Sequence, residues 1–354
     1  MSKKLLLQIL IISFIVGAFG SIFFDRVVLP PLSTFPGLSW LSRLRSDTPI
    51  VITRKEEVRL NEGVNLIELT KQAQGFTVSI FNVSESSTEL LGSGIILSSD
   101  GLIFTAKAVV GSQSEVTVVL NDGSNYPGLV RALDPNSELA VVTIPTNNLP
   151  IAQFEKVADL VVAQRVLALG KTTEPFTRKF ASGFVTKTVF NNPDPNKVFS
   201  SDFLGSTILT DAPLSNDFAG GPVFNLNGRV VGMVADTGGK ILISESLDPA
   251  LKTYLAEGKI VRPKLGLNYI NITDSLAKLL GLNFGGARVV QIQRGGAASL
   301  AGLKVNDVVV EIEGQSVVEK NFEFVFNSNL SENMRFVILR DNEREEIIVN
   351  PVIE

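Results

Sequence analysis

The 354-residue chain carries a net charge of −4, with 45% hydrophobic and 19% charged residues; this balance describes a globular protein and gives no overall pull toward nucleic acid. It contains no cysteine and no histidine, which excludes disulfides, thiolate zinc sites, a Cys nucleophile and any imidazole base. No metal or other cofactor is expected, because only oxygen ligands remain and no carboxylate cluster has a calcium-loop spacing.

In chain order, Lys3 and Lys4 precede Leu5–Phe24, a stretch of twenty residues with no charge and one amide, Gln8. At a rise of about 1.5 Å per residue such a helix spans roughly 30 Å, the thickness of a hydrocarbon core. The pattern predicts a cytoplasmic N-terminus at 1–4, a single-pass transmembrane anchor at 5–24, and the bulk of the chain outside the cytoplasm, periplasmic or at the cell surface. A cleaved signal peptide is the competing reading, since Ala18-Phe19-Gly20 has a small-x-small spacing. The apolar run continuing through Ile22, Phe23 and Phe24 favours the uncleaved anchor. Residues 25–60, with Pro30, Pro31, Pro36 and Pro49, read as an extended tether.

From Asn61 the pattern changes. Asn61-Glu62-Gly63-Val64 predicts a short helix to about Gln74. Short apolar runs then follow at Thr77–Phe81, Gly94–Leu97, Leu102–Thr105 and Glu115–Leu120, the last ending at the hairpin signal Asn121-Asp122-Gly123. The series continues at Leu139–Ile144, Val161–Leu169, Gly183–Thr188 and Ser206–Leu209, then Val223–Leu226 and Val230–Val234 around Asn227-Gly228. Strands of this length and spacing predict a mainly β, barrel or sandwich architecture. A boundary falls near Gly258–Pro263; beyond it two helical stretches, Asp274–Leu280 and Ala297–Ala301, lie among strands that close with a hairpin across Asp341-Asn342.

Several ordered motifs carry a resemblance. Gly92-Ser-Gly-Ile-Ile, Asp100-Gly101 and Thr105-Ala-Lys-Ala-Val-Val110 resemble the stretch around the catalytic histidine of HtrA-type proteases, the DegP/DegS group. Leu133-Asp134-Pro135-Asn-Ser-Glu138-Leu-Ala-Val141 is similar to that family's catalytic-aspartate segment, and Thr210-Asp-Ala212 through Ala219-Gly220-Gly221-Pro222 to its nucleophile loop. Arg262-Pro-Lys-Leu-Gly-Leu267 and Ala301-Gly-Leu-Lys-Val-Asn-Asp307 resemble the start and middle of its PDZ domain. The resemblance implies a trypsin-like double β-barrel over 61–258 followed by a PDZ domain over 259–354, and assembly as a homotrimer or as a mixed trimer with an active relative.

The same alignment of motifs exposes losses. Ala108 stands where the family has its general base, Glu138 at the orienting aspartate, and Ala219 at the nucleophile. Asp217 replaces the glycine whose N–H faces the oxyanion, and its carboxylate opposes developing negative charge; Phe218 adds apolar bulk beside the cleft. Lys107, adjacent to Ala108 in an extended strand, is expected to face away. No intact catalytic residue is therefore expected. Lys264, Leu265, Gly266 and Leu267 fit the carboxylate loop of a PDZ domain, which receives a chain terminus on backbone N–H groups while a strand edge pairs with the peptide. The expected function is a membrane-anchored HtrA-like pseudoprotease that binds extended or C-terminal peptides, as scaffold, sensor or regulator of protein quality control, with no nucleic-acid partner. The alternative is a residual serine-type endopeptidase acting on misfolded envelope proteins.

Overall fold

The computed structural model describes residues 12, 13, 16, 17, 20, 23, 62–84, 87–156, 160–170, 178–188, 197–205, 207–236, 240–279, 281 and 285–353. The chain divides into two compact units, Met1–Leu60 and Asn61–Glu354. In the first, the described residues are helical. Among the described residues no helix is long and apolar enough to cross a membrane; the anchor expected at 5–24 lies mostly outside them, and the tether at 25–60 entirely so.

The second unit opens with helix α1 (Glu62–Gly75), closed by the Thr77 hydroxyl donating to Ala73 O (2.6 Å). Six strands follow: β1 (Thr77–Val83), β2 (Thr88–Ile96), β3 (Leu102–Ala106), β4 (Glu115–Val119), β5 (Asn125–Leu133) and β6 (Leu139–Thr143). They close a barrel in the order β1-β2-β3-β6-β5-β4. Ile80, Ile95, Ile103, Val118 and Val142 fill its interior. The Asn121-Asp122-Gly123 turn joins β4 to β5 as its sequence predicts, with Val119 opposite Asn125. The hairpin signal implies a partner strand, but the extent of β5 is not marked in the sequence: Pro127 interrupts its pattern, and a register shift between Val130 and Ala132 breaks the alternation that marks a strand.

A second barrel runs in the order β10-β13-β12-β11-β7-β8, built from β7 (Arg165–Leu169), β8 (Phe180–Lys187), β10 (Thr207–Thr210), β11 (Pro222–Asn225), β12 (Val230–Val234) and β13 (Ile241–Ile243). Arg178, just before β8, ties the two barrels together. Its guanidinium donates to Ser79 Oγ (3.1 Å) and Thr77 O (2.7 Å) of β1, and burial pushes its pKa down to about 10. A further helix, α3 (Ser244–Glu257), packs against β12 and β13. Between β3 and β4 the segment Lys107–Val110 is one helical turn, α2. Lys107 is thus not in an extended strand, and alternation of faces does not set its direction.

The C-terminal part begins at β14 (Pro263–Lys264), which pairs with β21 (Val352–Ile353). Its sheet contains β15 (Leu267–Ile272), β16 (Gly286–Ile292), β17 (Val308–Ile312), the short β18 (Gln315–Ser316) paired with β17, β19 (Met334–Arg340) and β20 (Glu343–Val349). The order is β20-β19-β17-β16-β15-β9, where β9 (Phe199–Ser200) comes from the stretch between β8 and β10. Short helices α4 (Asp274–Leu279), α5 (Ala297–Leu300), α6 (Val317–Lys320) and α7 (Phe322–Asn327) complete this part. Its core stacks Tyr269, Phe322, Phe326 and Phe336.

Arg262, at the entry to this part, is wholly buried, as is Asp134 on the loop between β5 and β6. The guanidinium donates from Nε to Asp134 Oδ2 (3.0 Å), and from Nη2 to Asp134 Oδ2 (2.5 Å) and to Ser246 O of α3 (2.9 Å). The carboxylate also accepts the Asn136 N–H (2.9 Å) and the Ser137 hydroxyl (2.8 Å). First barrel, α3 and C-terminal part thus meet on one ion pair. Removing one partner strands the other charge away from water, so Asp134→Ala should cost about 3–5 kcal/mol. An Asp134→Leu/Arg262→Met double variant should recover much of that loss; urea titration monitored by circular dichroism measures both.

Candidate functional site

The three residues that the motifs align with a catalytic triad sit on segments held together by backbone bonds. Lys107 N–H donates to Glu138 O (2.8 Å), which joins α2, carrying Ala108, to the loop carrying Glu138. Ser93 N–H of β2 donates to Ala219 O (2.9 Å), and the Thr105 hydroxyl of β3 donates to Ser93 O (2.6 Å). Gly220 has φ +76°, and a Cβ there would lie 2.0 Å from Ser93 O; only glycine allows the 219–220 loop to lie this close to β2. Positions 108, 138 and 219 therefore share one neighbourhood around β2 and β3. Ala108 is exposed, Glu138 half-buried and Ala219 buried.

The chemistry available there is narrow. Ala219 offers a methyl group, and no histidine exists in the chain to take a proton. The loop before it is a 3-10 turn, Asn216–Phe218. Within it Phe218 N–H donates to Ser215 O (2.9 Å), and Ala219 N–H donates to Asn216 O (3.2 Å). Gly221 N–H donates to Phe218 O (2.8 Å). An oxyanion hole needs N–H donors aimed at open space, and the N–H of position 219, one of the two donors that the family motif would supply, is spent inside the loop.

Two expectations about this loop change. The Asp217 carboxylate, expected only to oppose negative charge in the cleft, is paired with the Lys179 ammonium at a solvent-accessible site, where such a pair contributes little. Phe218 does not stand beside the cleft. It is 5% exposed and belongs to the second-barrel core with Leu160, Val166, Val185, Val223 and Phe324 of α7. The turn and the burial are linked: the residue before Ala219 anchors the loop by its ring, and the tight turn follows.

Residues 264–267 form a second site. Lys264 lies in β14, half-buried, and Leu265 and Leu267 are core side chains, 1% and 3% exposed. Gly266 has φ +74°, the left-handed conformation a tight N–H-presenting loop requires. The loop is expected to receive a chain terminus. In the structure its donors are met by the chain's own groups: Leu265 N–H donates to Asp202 Oδ1 (2.8 Å), Gly266 N–H to Asp202 Oδ1 (3.0 Å), and Leu267 N–H to Ser201 Oγ (3.1 Å). Sequence reasoning missed Asp202. The segment Phe199-Ser200-Ser201-Asp202 reads as an ordinary turn, and the partners of Asp202 lie more than 60 positions away.

Behind this loop, Tyr269 is buried with its phenol pushed well above its ordinary pKa, by desolvation first and by the nearby Glu323 carboxylate second. It stays neutral through the physiological range. Phe199 stacks on it at 5.7 Å between centroids.

Residues 92–233 match the model of the trypsin-like peptidase domain. The chain is 34% identical over 247 residues to a "probable periplasmic serine endoprotease DegP-like" of Pseudomonas fluorescens, covering 66% of this chain and 50% of that protein. Its counterpart in Chlamydia pneumoniae is 32% identical over 243 residues, covering 66% and 48%. The chain thus spans about half the length of these curated relatives. Among solved structures, the HtrA-type protease AlgW with tripeptide superposes with a TM-score of 0.63 at 21% identity, over 81% of this chain and 97% of that one. The serine endoprotease from Yersinia pestis gives 0.56 at 19% identity, again over 81% and 97%. At these identities the superpositions establish the double-barrel fold.

The loop's anchoring makes a stability prediction. Phe218→Ala removes a buried aromatic and should cost about 3–5 kcal/mol. Lys179→Met breaks a solvent-exposed pair and should change stability by less than about 1 kcal/mol. Denaturant midpoints of the two variants, compared side by side, check the contrast.

Proposed function

We propose that this chain, which belongs to the HtrA/DegP family of trypsin-fold serine proteases, is a non-catalytic member that works by binding. One observation carries the reading: at position 219 a methyl group replaces any nucleophile, and the adjacent N–H is consumed by Asn216 O (3.2 Å), in a chain with no histidine. Acyl transfer needs a nucleophile, a base to take its proton and free donors for the oxyanion; on this reading the first two are missing and the N–H of position 219 is already occupied. Members of a triad act as a unit, so Glu138 alone restores nothing.

The C-terminal part reads as a PDZ domain whose loop 264–267 receives extended or C-terminal peptides. The left-handed Gly266 and the N–H groups of Leu265 and Gly266 already grip a carboxylate, which supports this assignment. The related HtrA-type protease AlgW has been solved with a tripeptide and with a decapeptide, in keeping with peptide binding in this fold. The curated relatives are periplasmic by name. With the apolar segment 5–24 as a single-pass anchor, the barrels would stand outside the cytoplasm as a scaffold, sensor or regulator of protein quality control. Assembly as a homotrimer, or as a mixed trimer with an active relative, extends the same resemblance.

Purified full-length chain incubated with unfolded casein is expected to leave the substrate intact. Ala108→His/Glu138→Asp/Ala219→Ser together should still give no cleavage, because the 215–219 turn keeps the N–H of position 219 occupied. Adding Asp217→Gly and Phe218→Asn to free the loop should give the first detectable hydrolysis, at a cost in stability from the emptied core site. Cleavage by the unaltered chain, lost on changing one identified side chain, would instead establish the endopeptidase reading.

A further inference from the structure

The sheet edge at which an incoming peptide would pair is already occupied. Strand β9 runs antiparallel to β15, with Ser200 opposite Asn268 and Phe199 opposite Tyr269. Ser201 N–H donates to Leu267 O (2.9 Å), and Leu267 N–H returns a bond to Ser201 Oγ (3.1 Å). At the next residue the backbone turns away while the side chain continues forward. Asp202 Oδ1 accepts from Leu265 N–H (2.8 Å) and Gly266 N–H (3.0 Å), and Oδ2 lies 3.2 Å from Gly266 N. The Ser201 hydroxyl donates to the same carboxylate (2.6 Å).

Two more contacts hold the segment as it leaves. Leu204 N–H donates to Asn136 O (2.8 Å), on the loop that also carries Glu138, and Gly205 N–H donates to Glu323 Oε2 of α7 (3.2 Å). At the other end the Lys197 ammonium lies 4.8 Å from the centre of the Phe199 ring.

We infer that residues 199–202 are a built-in occupant of the carboxylate loop, in which the Asp202 side chain stands where a chain terminus would sit, and that a free C-terminus engages this loop only by displacing them. The inference rests on the peptide-receiving reading of 264–267. Strand addition supplies the backbone pairing and the loop supplies the carboxylate contacts, the two elements of recognition by an added strand. The occupant also specifies what replaces it. An extended peptide needs a last residue whose N–H meets Leu267 O and whose α-carboxylate meets the N–H groups of Leu265 and Gly266. Two residues earlier it needs an aromatic ring to stack on Tyr269. A tethered occupant competes at an effective concentration on the order of millimolar, so it lowers apparent affinity even when its own contacts are weak.

The test uses full-length protein and the labelled pentapeptide Lys-Val-Phe-Ser-Ser with a free C-terminus, which copies residues 197–201, with its C-terminal amide as control. Asp202→Asn should bind the acid peptide about tenfold tighter than the unaltered chain, and the amide should bind neither. Without peptide, the amides of 265–267 should exchange hydrogen faster in Asp202→Asn. A second variant, Ser200→Cys/Asn268→Cys, places the only two cysteines of the chain at directly opposed positions. Its oxidised form should lose peptide binding and regain it on reduction, within one folded protein. Equal affinity and equal exchange in Asp202→Asn, or unimpaired binding by the oxidised pair, would overturn the built-in occupant and leave the peptide-receiving reading standing. No binding to any form, with faster exchange in Asp202→Asn, would overturn the peptide-receiving reading and the displacement together.

Discussion

The ion pair between Asp134 and Arg262 is the interaction on which the second unit is organised. Both groups are fully buried, and the guanidinium spans the first barrel, α3 and the start of the C-terminal part. Burying two charges is expensive, and the cost is offset only where geometry is good and the remaining donors and acceptors find partners. Here the carboxylate accepts four donors, two of them from its own loop, while Arg262 Nη1 is buried without a partner, so the offset is incomplete on the guanidinium side. The pair therefore sets the shape of residues 134–138. From that loop, Glu138 O holds α2 beside the barrel, and Asn136 O holds the segment that fills the C-terminal groove. One buried contact thus positions both candidate sites.

The loss of chemistry in this reading is more than a missing side chain. In a protease of this fold the donors beside the nucleophile must be free before substrate arrives, because catalysis draws on charge stabilisation that needs no rearrangement. The 216–218 turn directs the Ala219 N–H inward to Asn216 O, and the Phe218 ring anchors the turn by sinking into the second-barrel core. The same core includes Phe324 of α7, a helix whose other face packs on the aromatic cluster behind the groove. The 216–218 turn and the groove thus share a packed neighbour, α7.

Legibility in the sequence followed locality. The turns Asn121-Asp122-Gly123 and Asn227-Gly228, the helix after Asn61 and the glycines around Ala219 each act within a few residues, and each appears in the structure as read. The extent of β5 is unmarked because Pro127 and the irregularity near Val130 break its alternation. Helix α3 was missed for a similar reason: Pro249 lies inside it, and a proline in mid-helix ordinarily ends one. The burial of Phe218 and the role of Asp202 depend on partners far along the chain. A Phe beside a cleft motif looks solvent-facing until the opposite wall of its pocket is known. An aspartate in a serine-rich turn looks like an ordinary turn residue until the N–H groups of Leu265 and Gly266 arrive to meet it.

A non-catalytic member of this family has no activated side chain that reacts selectively, in the folded state, with an acyl- or phosphoryl-type electrophile. The most direct measurement is intact-mass spectrometry of the purified full chain after prolonged exposure to a fluorophosphonate probe, beside a heat-denatured sample. An unshifted mass in both is the predicted result. Stoichiometric labelling of one residue in the native sample, abolished by denaturation, would contradict it.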